Sequence, residues 1–313
     1  MSIPGTTGLT AETASAKPTE AATEKADELK TAGLASKALS AKADTPYWME
    51  VGKKGVNRLN LQCEILDPKT WELLETLGLS SESQVLDVGC GNASMARQVA
   101  KRYGCQVLGL DAEPKQLELA KTAAIADGVN GFTTFEQCLA SEIRERYTEQ
   151  FDVVMCRLFL CHLDHPERVL AQMIERVKPG GVLICEDLTH GFEREHYTCT
   201  PSSEGYEFWL DMAEHYGKIQ ATDFQIGQKL AAMAEERGLK VITNKPYQSQ
   251  LTSPRLKAIF RLGMLELREK FIDSGKTTSD RMDRALEEFR ELEEGDFTAD
   301  YFPMIQVVAR KPS

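Results

Sequence analysis

The sequence predicts an α/β fold, a doubly wound and mostly parallel sheet of seven strands with helices on both faces. Three observations carry this expectation. Val85-Leu86-Asp87-Val88-Gly89-Cys90-Gly91 reads as a buried strand stopping at a glycine turn, where backbone must approach a ligand closely. A second apolar run, Val107-Leu108-Gly109-Leu110, ends in Asp111, twenty residues after Gly91. From residue 84 to residue 187 strand-like and helix-like segments alternate. That rhythm puts a ligand crevice at the carboxyl ends of the strands, where the chain order reverses.

The elements follow in order. Residues 1–45 are rich in Ala, Thr, Lys and Glu and hold no aromatic residue, so they are expected to be a disordered tail. Order should begin near Pro46-Tyr47-Trp48. Residues 47–78 read as helical, with Val56, Leu59, Leu61, Ile65 and Leu66 at near-helical spacing and Trp71, Leu74 and Leu77 continuing after Pro68. Then come strand 84–88, helix 93–103, strand 106–110, helix 113–126, strand 132–136, a helical stretch at 139–147, strand 151–156, helix 166–177 and strand 181–187. Helix 227–237 and strand 239–244 follow, and 303–310 makes the last strand. Residues 46–190 thus form the N-terminal helices and the cofactor-binding half, and 227–313 the end of the sheet.

Two insertions interrupt the alternation. Residues 191–226 are expected to be a helical lid over the crevice, because seven aromatics fall in the 34 positions 191–224, about three times the average of 7%. The alternative is a helix packed on its own domain with its rings in the core. Residues 255–293 read as two amphipathic helices, striped by Leu256, Ile259, Phe260, Met264, Leu267 and Phe271, then by Met282, Leu286 and Phe289. This pair either completes a substrate pocket or forms a homodimer interface.

The turn chemistry narrows the ligand. A dinucleotide cradle uses G-x-G-x-x-G, whose third glycine packs helix on strand. Here Gly89-Cys90-Gly91-Asn92-Ala93-Ser94 lacks it, and Asp87 sets a carboxylate where a phosphate would be repelled. A cation is welcome there. S-adenosylmethionine, with its ammonium, sulfonium and ribose, is the candidate, and Asp111 is placed to accept from ribose hydroxyls.

These residues resemble the class I S-adenosylmethionine-dependent methyltransferases of small-molecule type. VLDVGCG matches that family's D-x-G-x-G motif and Asp111 its ribose-binding acid. Phe151-Asp152-Val153-Val154-Met155-Cys156 resembles its fourth strand, and Arg176-Val177-Lys178-Pro179-Gly180-Gly181-Val182-Leu183 the turn before its fifth. The likeness covers roughly residues 55–190. It implies a Rossmann-like methyltransferase fold and a cofactor set of Asp87, Gly89, Cys90, Gly91, Asp111, Ala112, Gln116, Leu139 and Arg157. Arg58-Leu59-x-x-Gln62 resembles a pattern ahead of the first motif in some members, which implies that Arg58 and Gln62 meet the cofactor's carboxylate. Two departures stand out. Cys138 or Leu139 occupies the place where the family often has an acid beside adenine, so adenine would fall to backbone N–H groups. Cys156-Arg157-Leu158-Phe159 lacks the Asn/Asp-Pro-Pro-aromatic signature of enzymes that methylate bases in nucleic acids.

Composition sets further bounds. The net charge of −11, from 37 basic and 48 acidic residues, disfavours nucleic acid as a partner. No apolar stretch approaches the roughly 18 residues of a membrane helix. The first 30 residues lack an apolar core for secretion. The first 45 contain no Arg and six acids, unlike a mitochondrial presequence. Eight cysteines without a C-x-x-C pair suggest free thiols in a reducing cytoplasm and no metal site.

Methyl transfer to a hydroxyl or amine needs a base, and His162 and His190, just after strands four and five, are the two histidines placed near the crevice. Glu186 and Asp187 are alternative bases or substrate anchors. The leading expectation is O- or N-methylation of a small molecule, in secondary metabolism. Two alternatives are a non-catalytic S-adenosylmethionine-binding regulator and the same fold used for a non-methylating ring closure.

Overall fold

The computed structural model describes Met49, Glu50 and residues 55–313. The tail expected at 1–45 and the onset of order at Pro46–Trp48 lie outside the described residues. Helix α1 (Val56–Leu74) runs through Pro68 without a break and buries Leu61, Ile65, Leu66, Leu73 and Leu74. The alternating half follows as β1 (Gln84–Val88), α2 (Ser94–Tyr103), β2 (Gln106–Asp111), α3 (Pro114–Ala126), β3 (Thr133–Gln137), α4 (Ile143–Arg146), β4 (Phe151–Arg157), α5 (Pro166–Glu175) and β5 (Val177–Leu188).

After β5 come the two-residue β6 (Cys199–Thr200), α6 (Glu204–Gln220), α7 (Ile226–Glu235), β7 (Lys240–Leu251), α8 (Pro254–Asp273), α9 (Ser279–Glu294) and β8 (Thr298–Arg310). The strands lie in the order β3-β2-β1-β4-β5-β8-β6, with β7 on the other side of β8. Pairing is parallel from β3 to β5 and antiparallel around β8. The expected α/β sheet of seven strands is present, joined by the short β6. That strand escaped the sequence reading because two residues show no periodicity. It pairs with Ala299 and Thr298 of β8, beyond the point where β5 stops pairing at Met304. β8 accordingly starts five residues before the expected 303, and β5 starts at Val177, in what reads as the turn ahead of it.

Apolar residues fill both faces of the sheet. Val85, Val107, Val153, Val182 and Ile184 meet α2 and α3 on one side, and Leu86, Leu110, Val154 and Leu183 meet α5 and α7 on the other. A helical cap of α6, α8 and α9 packs beside α1. The aromatics of 191–224 form the core of this cap. Trp209, 5% exposed, has its ring 4.7 Å from Phe260 of α8 and 5.4 Å from Phe302 of β8, and Phe192 lies 4.8 Å from Phe224. Rings this large are driven out of water once partners exist, so Tyr197, Tyr206 and Phe208 are buried as well. The apolar stripes of α8 and α9 (Phe260, Met264, Leu267, Phe271, Met282 and Phe289) are spent in the same core, which removes them from a dimer surface.

Candidate functional site

β1 lies between β2 and β4, so the chain order reverses at its carboxyl end, and the glycine turn sits there. Gly89 and Gly91 both take left-handed backbone, with φ of +72° and +56°. A Cβ on Gly89 would stand 2.3 Å from the Phe159 ring, whereas one on Gly91 would meet nothing within 4 Å. One glycine therefore admits a protein ring and the other leaves open space above the turn. The turn is held from beneath, since the N–H groups of Gly89 and Cys90 both donate to the Leu110 carbonyl, at 2.8 and 3.0 Å. From α1, Asn60 accepts from Asn92 at 3.0 Å, and a cleft of about 420 Å³ opens beside it between α1 and α2.

Asp87, at the end of β1, is 6% exposed. No hydrogen bond to its carboxylate occurs among the described residues. Burial pushes its pKa up to about 7, against the pull of the Arg157 guanidinium and with the help of the Asp111 charge. Such a carboxylate is short of a positive partner. Asp111, at the tip of β2, accepts from the N–H groups of Gly91 at 2.8 Å and Glu113 at 2.9 Å. Burial raises its pKa, and these donors oppose the rise. Beyond it, Ala112 is exposed and Leu139 is 43% exposed. Because Asp111 is registered with Gln137, these two apolar residues follow neighbouring strand ends and can flank a flat ring. Gln116 is buried nearby, and its Oε1 has no hydrogen-bond partner among the described residues. The Cys138 N–H is already taken by the Asp111 carbonyl at 3.0 Å. Burial, and then the charges of Asp87 and Asp111, push the Cys90 thiol's pKa well up, which disfavours the thiolate.

The arginines expected at the cofactor are engaged elsewhere. Arg58 donates to Glu266 of α8 at 2.8 Å, and Gln62 to the Tyr301 hydroxyl of β8 at 3.3 Å. Arg157 donates to Thr70 and to Asp67 of α1, each at 2.8 Å. From α1, Asn60 bonds Asn92 of the glycine turn, a contact the sequence reading missed. Phe159 was missed too. Leu158 takes a left-handed backbone, φ +49°, which turns Phe159 over Gly89.

His162 ends a one-turn 3₁₀ helix (Leu160–His162) and is half-buried. Asp187 fixes that turn by accepting from the N–H groups of Phe159 and Cys161, both at 3.2 Å. Glu186 accepts from the Thr70 hydroxyl at 2.6 Å and from Gln306 at 2.7 Å. Both acids are buried and committed to bonds within the protein, which leaves neither as an open base or substrate anchor. His190 is half-buried. Its ring stacks on His196 at 3.9 Å, and its Nδ1 lies 3.4 Å from the Gln228 amide. Burial, and then the His196 charge, lower its pKa, so its neutral, proton-accepting form prevails near neutral pH. No cluster of metal-ligating side chains occurs among the described residues.

The arrangement suits a cationic nucleoside. At one end of the sheet it brings together a glycine turn, the Asp87 acid with no hydrogen-bond donor among the described residues, a second acid at the tip of β2, and the apolar Ala112 and Leu139 beyond it. A family model described as a methyltransferase domain matches residues 60–244. A ubiquinone biosynthesis O-methyltransferase from Pseudomonas fluorescens is 37% identical over 107 residues, 34% of this chain and 44% of that protein. Its counterpart from Coxiella burnetii is 26% identical over 196 residues, 63% of this chain and 77% of its own length. The chain thus spans less than half of the first of these relatives and about three quarters of the second. Among solved structures, the YcgJ protein from Bacillus subtilis shares the fold, with a TM-score of 0.51 at 15% identity over 77% of this chain and 97% of that one.

Proposed function

Because the chain belongs to the class I S-adenosylmethionine-dependent methyltransferases, we propose that it transfers a methyl group from that donor to a hydroxyl oxygen of a small-molecule acceptor. The observation that carries this reading is the Asp87 carboxylate, buried, without a hydrogen-bond donor among the described residues and facing a turn left open above Gly91. The residues fit the donor. Asp87 complements its positive charge, Asp111 its ribose, and Ala112, Gln116 and Leu139 the edges of its adenine. Arg58, Gln62 and Arg157 belong to the walls of the site, since each already holds a partner in the protein.

When bound, the donor supplies a methyl carbon already activated by its sulfonium. The protein's share is orientation and exclusion of water. Phe159 and the 3₁₀ turn braced by Asp187 wall the crevice beside Gly89. His190, neutral at physiological pH, or His162 takes the proton that the acceptor hydroxyl releases. Oxygen is favoured over nitrogen by the names of the curated relatives, and the acceptor is read as a biosynthetic intermediate, secondary metabolites included. Eight free thiols suit a reducing compartment such as the cytoplasm. No helix among the described residues is long and apolar enough to cross a membrane.

The test uses purified protein, methyl-labelled S-adenosylmethionine and a panel of phenolic and aliphatic hydroxyl compounds. Label moving to a small product, with S-adenosylhomocysteine formed in equal amount, is the expected result. Donor binding without transfer to any acceptor would favour a regulatory role instead.

A further inference from the structure

Side chains of registered partners, and of residues two apart on a strand, share one face of a sheet. Asp87 is registered with Met155, two residues before Arg157. Arg157 is registered with Glu186, and Glu186 with Gln306. These four polar side chains therefore form one row across β1, β4, β5 and β8, at the ligand-facing end of the sheet. Helix α1 covers the row. Its Thr70 bonds both Arg157 and Glu186, and its Asp67 bonds Arg157. Every member is buried or nearly so.

Three carboxylates (Asp67, Asp87 and Glu186) share the single guanidinium of Arg157. Asp67 also accepts from Gln98 at 2.7 Å, and Glu186 from Thr70 and Gln306. Asp87 alone has no donor among the described residues, and it is the member beside the glycine turn. The row thus ends in a carboxylate that only a charge steadies until a ligand arrives.

We propose that Arg157 is a positioning residue for the methyl-donor site: its fixed cation holds Asp87 in the charged form that receives the donor, and Asp67 on α1 weakens that hold. The inference rests on the donor reading above. Around Asp87 stand Arg157 and Cys156 from β4, Asp111 from β2 and Cys90 from the turn; Cys63 and Asp67 of α1 and Glu186 of β5 face it through Arg157. The thiols are neutral, so Arg157 is the one cation among these groups. Its removal favours the protonated Asp87, whose neutral carboxyl does not attract a cation. Removal of the Asp67 charge has the opposite sign.

The experiment is calorimetric titration of the full chain with S-adenosylmethionine and with S-adenosylhomocysteine between pH 5.5 and 7.5. Wild-type affinity rises with pH, by about tenfold for each pH unit while Asp87 is mostly protonated. Arg157→Gln moves the midpoint of that rise to higher pH and weakens binding at pH 7 by about tenfold, whereas Arg157→Lys keeps most of the wild-type profile. Asp67→Asn moves the midpoint to lower pH and tightens binding at pH 6. A structural role alone would lower affinity equally at every pH, and that parallel loss, or an Asp67→Asn midpoint shifted upward or unmoved, overturns the proposal. Should Arg157→Gln fail to fold, the sign of the Asp67→Asn shift still decides. If the wild-type chain binds neither ligand at any pH, the donor reading itself has failed.

Discussion

Replacing Asp87 by Asn should make the protein more stable and weaken its hold on the donor. The carboxyl is buried without a hydrogen-bond partner among the described residues, and its pKa is pushed up to about 7 from 3.8. An acid whose folded pKa is raised binds more protons folded than unfolded between those two values. Folding stability therefore falls as pH rises from about 4 to about 7, and the whole penalty is present above pH 7. At about 1.4 kcal/mol per pH unit, the penalty reaches about 4 kcal/mol. Asn keeps the volume and removes the charge, so Asp87→Asn should recover about 2–4 kcal/mol at pH 8 and raise the melting temperature by roughly 5 °C or more. The gain should shrink toward zero as pH falls to 4. Scanning calorimetry of both proteins from pH 4 to pH 8 measures it, alongside titration with S-adenosylmethionine, where affinity should fall at least about tenfold. A variant less stable than wild type at pH 8 would refute the reasoning, because the carboxylate would then be well served by the protein alone.

Four further outcomes follow from the same geometry. Asp111→Ala should weaken donor binding by about 1–3 kcal/mol, roughly 5- to 150-fold in Kd, read by titration; unchanged affinity would remove it from the ribose site. Gly89→Ala combines φ +72° with a Cβ 2.3 Å from the Phe159 ring, so donor affinity should drop as Phe159 and the turn are pushed apart, even in protein that folds. Trp209→Ala should destabilise the chain by about 3–5 kcal/mol in denaturant titration, with donor affinity in the surviving native protein within about twofold of wild type. His190→Ala or His162→Ala should lower kcat while donor affinity stays within about twofold; full turnover in both variants would mean that neither accepts the acceptor's proton.

Much of the sheet could be read ahead because its signals are local. The alternation that ends in Gly89 and the apolar run that ends in Asp111 mark β1 and β2 to within a residue, since period, turn glycines and strand-end acids act over a few neighbours. The partners of long polar side chains were not readable in the same way. Arg157 looks like a ligand contact from its place at a strand end, yet its partners Asp67 and Thr70 lie 90 and 87 residues away on α1. Arg58 met the same fate at Glu266.

The doubly wound sheet, the glycine turn at its switch point and the acids Asp87 and Asp111 beside that turn are legible from the amino acids alone. That the rings of 191–224 are a core emerges only in the packed fold, because Trp209 is buried by Phe260 and Phe302, which arrive from later in the chain. So does the finding that, among the described residues, Asp87 has no hydrogen-bond donor while Asp67, Glu186 and Asp187 each have at least one. Periodicity and backbone conformation are properties of neighbouring residues. Burial and the pairing of charges depend on which distant side chains the fold brings into hydrogen-bonding reach.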